Sequence, residues 1–190
     1  DGSTCAVLGD GSVYCWGDNF YGQLGDSCPP SISTPCGMDF PGVDENAVSI
    51  SSGGFHACVV MENGSAYCWG RNHLGQLGDG TEIDWDTPTP VSLPQGRTAV
   101  SISSGWHHPC ATLDNGLVYC WGNWSDFFAA SGEADSLSPQ AIPLPPGRLA
   151  TSVTAGGAHS CVALDDGTAY CWGDNQHGQL GKVGGNWTIT

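Results

Sequence analysis

The chain has 190 residues and a formal net charge of −15, with only Arg71, Arg97, Arg148 and Lys182 basic. That balance excludes nucleic acid and disfavours an anionic membrane surface, because both need clustered Lys and Arg. No run of about 18 apolar residues is present, so no membrane-spanning helix is expected. The 39% hydrophobic content sets the chain apart from disordered low-complexity sequences.

The chain opens at Asp1-Gly2-Ser3-Thr4-Cys5, with no charged-then-apolar leader. That opening lies in the middle of a pattern that recurs downstream, so a mature or excerpted segment is expected. Tyr14-Cys15-Trp16-Gly17 returns as Tyr67-Cys68-Trp69-Gly70, Tyr119-Cys120-Trp121-Gly122 and Tyr170-Cys171-Trp172-Gly173. Successive tryptophans are 53, 52 and 51 residues apart. A second word, Gly-Gln-Leu-Gly, occupies residues 22–25, 75–78 and 178–181. A third precedes each complete hairpin: Ser51-Ser52-Gly53-Gly54, Ser103-Ser104-Gly105 and Ala155-Gly156-Gly157. A period near 52 is too long for helix-pair repeats and fits a four-stranded blade. The units run 1–46 (partial, with an extra cysteine loop), 47–98, 99–150 (with a divergent loop) and 151–190 (partial).

The local pattern is β throughout. Ala47-Val48-Ser49-Ile50-Ser51 and Ala99-Val100-Ser101-Ile102-Ser103 read as alternating strands. The proline-rich stretches 88–94 and 139–146 read as connectors between units.

Each unit carries two cysteines ten residues apart: Cys5/Cys15, Cys58/Cys68, Cys110/Cys120 and Cys161/Cys171. Midway between them lies a turn ending in Gly11, Gly64, Gly116 or Gly167. A three-residue hairpin loop needs a left-handed residue there. A loop so centred places the two cysteines opposite each other, within disulfide reach, and predicts four cross-strand bonds. Cys28 and Cys36, in a connector found only in the first unit, predict a fifth. Ten cysteines with none left over point to an oxidising, extracellular or cell-surface setting.

Zinc is the competing reading of the cysteines, since His56, His108 and His159 each precede one by two residues. No Cys-x-x-Cys knuckle accompanies them, and the first unit has Ser3 in that place. The expectation is therefore no metal, with the histidines hydrogen-bonding to the neighbouring blade. The carboxylates Glu82, Asp84 and Asp86 lack the glycine-bearing loop of a calcium site.

Together, Gly-Gly-Phe-His-Ala-Cys, then Glu62-Asn63-Gly64, Cys68-Trp69-Gly70-Arg71-Asn72 and Gly75-Gln76-Leu77-Gly78 resemble the regulator-of-chromosome-condensation repeat family. A cysteine in both hairpin strands is similar to extracellular members. The resemblance implies an all-β fold of propeller-type blades, usually seven. Four units are fewer than that, so the expectation is an incomplete ring, part of a larger ring or an assembly. Unit three also departs, with residues 123–130 standing where Gly-Gln-Leu-Gly would be.

No nucleophile elbow, phosphate loop or catalytic carboxylate pair is evident, so no catalytic residue, no cofactor and no enzyme is expected. Three sequons mark Asn63, Asn123 and Asn186 as glycosylation candidates. Trp16, Trp69, Trp121 and Trp172 hold one repeat position and are expected in blade cores. Trp85, Trp106, Trp124, Phe127 and Phe128 lie off it and are candidate partner contacts. The functional expectation is an extracellular disulfide-stapled scaffold with a structural or assembly role, including a surface filament whose partner is the chain itself. The alternative is a soluble binding module for another extracellular protein or a glycan.

Overall fold

The computed structural model describes residues 2–123, 135–181 and, for the backbone alone, 187–189. The described residues form fifteen strands in four antiparallel sheets, and none is helical. The first sheet holds β1 (Ser3–Val7), β2 (Val13–Asp18) and β3 (Ser31–Gly37). The second holds β4 (Ala47–Ser52), β5 (His56–Met61), β6 (Ala66–Gly70) and β7 (Trp85–Pro90). The third holds β8 (Ala99–Ser104), β9 (Pro109–Leu113), β10 (Val118–Gly122) and β11 (Ser136–Ala141). The fourth holds β12 (Ala150–Ala155), β13 (His159–Leu164), β14 (Ala169–Gly173) and β15 (Trp187–Ile189). Each sheet is a meander in sequence order, the blade of a propeller. β4, β8 and β12 lie innermost and pack against one another, while the first sheet has no counterpart of them among the described residues.

Pro94, Pro143, Pro145 and Pro146 lie in connectors as expected, but three prolines do not. Pro88 and Pro90 lie inside β7 and Pro139 inside β11, not in connectors. These are the outermost strands of their blades, where a missing backbone N–H leaves no ladder bond unmade.

The hairpin registers follow from the turns. Gly11, Gly64, Gly116 and Gly167 have φ between +74° and +83°, the left-handed region the loop demands. Cys5 then faces Cys15, Cys58 faces Cys68, Cys110 faces Cys120 and Cys161 faces Cys171. All four pairs are disulfide-bonded with Cα atoms 4.1 Å apart, and Cys28 is bonded to Cys36. Closing loops of this size constrains the unfolded chain by about 3 kcal/mol per bond.

Two further sets of bonds join the blades. At the hairpin tips, the carbonyls of Gly11, Gly64 and Gly116 accept from the amides of Ala47, Ala99 and Ala150, the first residues of the next inner strands. Near the axis, the Ser51 hydroxyl accepts from the Ser104 amide at 2.9 Å, and the Ser103 hydroxyl from the Ala155 amide at 2.9 Å. The first glycine of the third word makes that approach possible. A Cβ on Gly105 would lie 2.4 Å from the Gly156 carbonyl oxygen and 2.4 Å from His108 Cε1.

Gly105→Ala is therefore expected to cost about 1–3 kcal/mol through overpacking. Gly157→Ala, whose Cβ would meet nothing within 4 Å, is expected to stay within about 0.5 kcal/mol of the parent. Urea unfolding of the two variants measures the difference.

Candidate functional site

The Gly-Gln-Leu-Gly loops begin the site, because they fix what lies around them. Asn19, Asn72 and Asn175 accept from the amides of Leu24, Leu77 and Leu180 through Oδ1. Gln23, Gln76 and Gln179 accept from the amides of Tyr21, Leu74 and His177 through Oε1. Thus clamped, the loop aims one carbonyl at the next blade. Trp69 Nε1 donates to the Gln23 carbonyl at 3.0 Å, and Trp121 Nε1 donates to the Gln76 carbonyl at 2.9 Å. The tryptophans thus sit at blade boundaries as much as in blade cores. Trp69, Trp121 and Trp172 are buried, whereas Trp16 is only half-buried, since the described residues place no preceding blade against it.

The residues between these fixed words form a continuous aromatic run across three blades. Phe20 meets Tyr21 edge-on at 4.9 Å between ring centroids, and Tyr21 meets Phe55 at 5.2 Å. Phe55 stacks on His107 at 6.2 Å, and His107 stacks on Trp106 at 5.8 Å, nearly parallel. His73 meets His107 edge-on at 5.9 Å. The Arg71 guanidinium lies 4.4 Å from the Tyr21 ring centre and 5.6 Å from that of Phe55, a cation–π arrangement. Arg97 and Arg148 pair with Asp114, Asp165 and Asp166, so Arg71 is the described basic residue that pairs with rings instead of carboxylates.

The run ends in a concavity at each side. Trp106, 52% exposed, lines a glycine-rich hollow of about 400 Å³ with Ser52, Gly53, Ser104, Gly105 and Gly156. Phe20, 77% exposed, and Trp85, 41% exposed, line a cleft of about 570 Å³ between the first two blades. Of the expected contacts, Trp85 and Trp106 thus occupy different concavities, linked through Tyr21, Phe55 and His107. Trp124, Phe127 and Phe128 lie outside the described residues.

Phe20, Tyr21, Phe55, Arg71, His73 and His107 are not identifiable as site residues from the sequence. Their signal is the repeat alignment itself. Phe55 and His107 share one position, just before the buried histidine, and Phe20 shares another with His73, two residues before Gly-Gln-Leu-Gly. These are the positions where the units differ.

Two of the histidines, His56 and His108, are buried. Among the described residues no group of three or more His, Cys, Asp or Glu side chains could hold a metal ion. His108 Nε2 lies 3.1 Å from the Ser160 hydroxyl of the next blade. Pro109 takes the place of Ser160 one blade earlier, and neither ring nitrogen of His56 has a hydrogen-bond partner among the described residues. Burial pushes both His56 and His108 down to about 3, with nearby histidines adding to the effect. Of the sequon asparagines, Asn63 is exposed at the β5–β6 turn, its Oδ1 accepting from the Ser65 amide at 2.8 Å. Asn123 is buried at 9% exposure, which removes its side chain from the folded surface, and Asn186 lies outside the described residues.

Fold and loops together define a β-propeller repeat protein that carries an aromatic run across three blades. The regulator of chromosome condensation (RCC1) repeat matches residues 10–60 and 63–112, and a second form of the same repeat matches 47–76, 99–127 and 150–179. The chain belongs to the RCC1 repeat family. It is similar to the ultraviolet-B receptor UVR8 of Arabidopsis thaliana, with 30% identity over 189 residues, covering 98% of this chain and 42% of that protein. It is similar in fold to yeast RCC1 (Prp20) as solved bound to Kap60, with a TM-score of 0.79 and 23% identity over 95% of this chain and 42% of that one. It also resembles the ectodomain of the Physcomitrella patens receptor kinase CR4, with a TM-score of 0.58 and 25% identity over 91% of this chain and 39% of that one. The chain thus spans less than half the length of each of these proteins. No helix among the described residues is long and apolar enough to cross a membrane.

The buried histidines set the acid response. Their folded-state pKa lies below the unfolded value of 6.5, so the unfolded chain takes up protons first as pH falls. Their contribution is complete above pH 6.5 and is lost between 6.5 and about 3. Each histidine withdraws up to about 1.4 kcal/mol per pH unit in that window. Urea unfolding at pH 7.5 and pH 5 is expected to show the loss, and His56→Leu is expected to flatten it.

Proposed function

We propose that the chain is an extracellular, disulfide-stapled binding scaffold without catalytic activity, which grips another extracellular protein or a glycan on one loop face. The observation that carries this reading is the aromatic run from Phe20 through Tyr21, Phe55 and His107 to Trp106. Its rings are mutually packed, and its two ends are exposed beside concavities. Large, pre-ordered aromatics bind at low entropic cost, which is why they concentrate at interfaces. The extracellular setting is supported by the enclosure of all ten cysteines in five disulfides. Likeness to a receptor-kinase ectodomain agrees with it. A glycan on exposed Asn63 belongs to the same reading.

A second reading, a structural subunit that joins copies of itself into a filament, draws on the blade-to-blade bonds. The indole-to-carbonyl bond repeats from blade to blade, so units of this kind stack by one rule, within a chain or between chains.

Screening the unreduced protein against extracellular-protein and glycan arrays separates the readings. Binding to a defined partner is expected, falling by about tenfold or more in Phe55→Ala and Trp106→Ala with the thermal transition preserved. Fibres with a regular axial repeat in negative stain, with array binding indifferent to both substitutions, would favour the filament.

A further inference from the structure

The cleft between the first two blades has features that the repeat does not explain. One wall is the 19–30 loop, which contributes Phe20, Tyr21, Asp26 and Cys28. The other is the start of β7, with Asp84, Trp85 and Asp86. The blade-one wall is braced three times over. The Asn19 side-chain amide donates to the carbonyls of Gly25, Cys28 and Pro29. The Cys28–Cys36 disulfide, the one bridge with no counterpart in the other units, ties the loop to β3. Gly22 lets the walls close, since a Cβ there would lie 2.6 Å from Asp86 Cβ. A disulfide added to one unit alone thus stiffens the wall of a cleft found at that unit.

The chemistry of the lining is specific. Asp26, Asp84 and Asp86 are exposed and form no ion pair among the described residues. Phe20, Tyr21 and Trp85 line the cleft alongside them. Arg71 already shows that this ring system holds a cation, lying over Tyr21 at 4.4 Å. Three carboxylates against that one guanidinium leave the cleft negative, within a chain of net charge −15. Carboxylates flanking aromatic faces are the combination that recognises an organic cation, by Coulomb attraction and by the ring quadrupole together.

We propose that this cleft receives a lysine or arginine side chain presented by a basic segment of a protein partner. The inference rests on the reading of the loop face as a binding face and names the chemistry of one part of it. The rings pack on the aliphatic stem, the carboxylates take the charged head, and the overall acidity speeds the encounter in a salt-dependent way.

The test is an NMR titration of the unreduced protein with a capped peptide of alternating Lys and Gly. The same peptide with every lysine acetylated and a neutral oligosaccharide serve as comparison probes. The Trp85 indole Nε1–H and the Gly22 and Asp86 amides are expected to shift with the lysine peptide, and the acetylated peptide to bind about tenfold more weakly or worse. Asp86→Asn and Trp85→Ala are each expected to weaken binding by about fivefold or more, while Glu45→Gln and Glu62→Gln, outside the cleft, stay within about twofold. Cys28→Ser/Cys36→Ser, with the four hairpin bridges intact, is expected to weaken binding with the β fold preserved. Equal loss from all the carboxylate substitutions would overturn the site in favour of diffuse acidity. A response to the oligosaccharide alone would reassign the cleft to a glycan. No response to the peptide, while array binding still depends on Phe55 and Trp106, would sink this inference and leave the binding face standing. Loss of both would sink the two readings together.

Discussion

Each buried indole N–H that crosses a blade boundary needs an acceptor, and the loop that supplies it has little freedom to be anything else. Trp69 and Trp121 reach the Gln23 and Gln76 carbonyls of the blade before. An unsatisfied indole N–H in that position would cost about 1–3 kcal/mol, and so would the orphaned carbonyl. The asparagine and glutamine clamps exist to hold that carbonyl in place, and the glycines let the chain turn tightly around it. The same clamps fix Tyr21 and Leu74, whose amides the glutamines engage, so the constraint that joins blades also sets the loop face.

That coupling explains how a small all-β chain supports an ordered aromatic run across three blades. The hairpin disulfides restrict each blade, the tip and inner-strand bonds fix neighbouring blades, and the aromatic run is laid across three of them. Phe20 and Tyr21 come from the first blade, Phe55 and Arg71 from the second, and Trp106 and His107 from the third. As the proposed binding face, such a run is ordered in advance, which reduces the entropic cost of binding. On the proposed reading, the net charge of −15 favours positively charged partners.

Much of this organisation is written in the repeated words. The ten-residue cysteine spacing and the glycine turns define register, and the period near 52 defines the blade. Other features were less legible. The prolines of β7 and β11 resembled connectors because proline is usually read as a strand breaker, yet an outermost strand leaves every second N–H unpaired anyway. The tryptophans were identifiable as core residues but not as cross-blade donors, since the Gln23 and Gln76 carbonyls are backbone atoms that carry no residue signature. The aromatic run is not legible in the sequence because its members lie 34 residues or more apart along the chain in places, as with Tyr21 and Phe55, and meet only when blades stack. His56 lost its hydroxyl partner through a single proline in the next unit, a change visible only when units are aligned.

The central claim is that the indole-to-carbonyl bond holds the loops on which the recognition face depends. Hydrogen–deuterium exchange of Trp121→Phe against the parent tests it most directly, because phenylalanine keeps most of the buried ring and deletes the donor. The account predicts faster exchange across residues 72–78 of the preceding blade, with a stability loss of about 1–3 kcal/mol. Unchanged protection in that segment, with any destabilisation confined to the third blade, would contradict it.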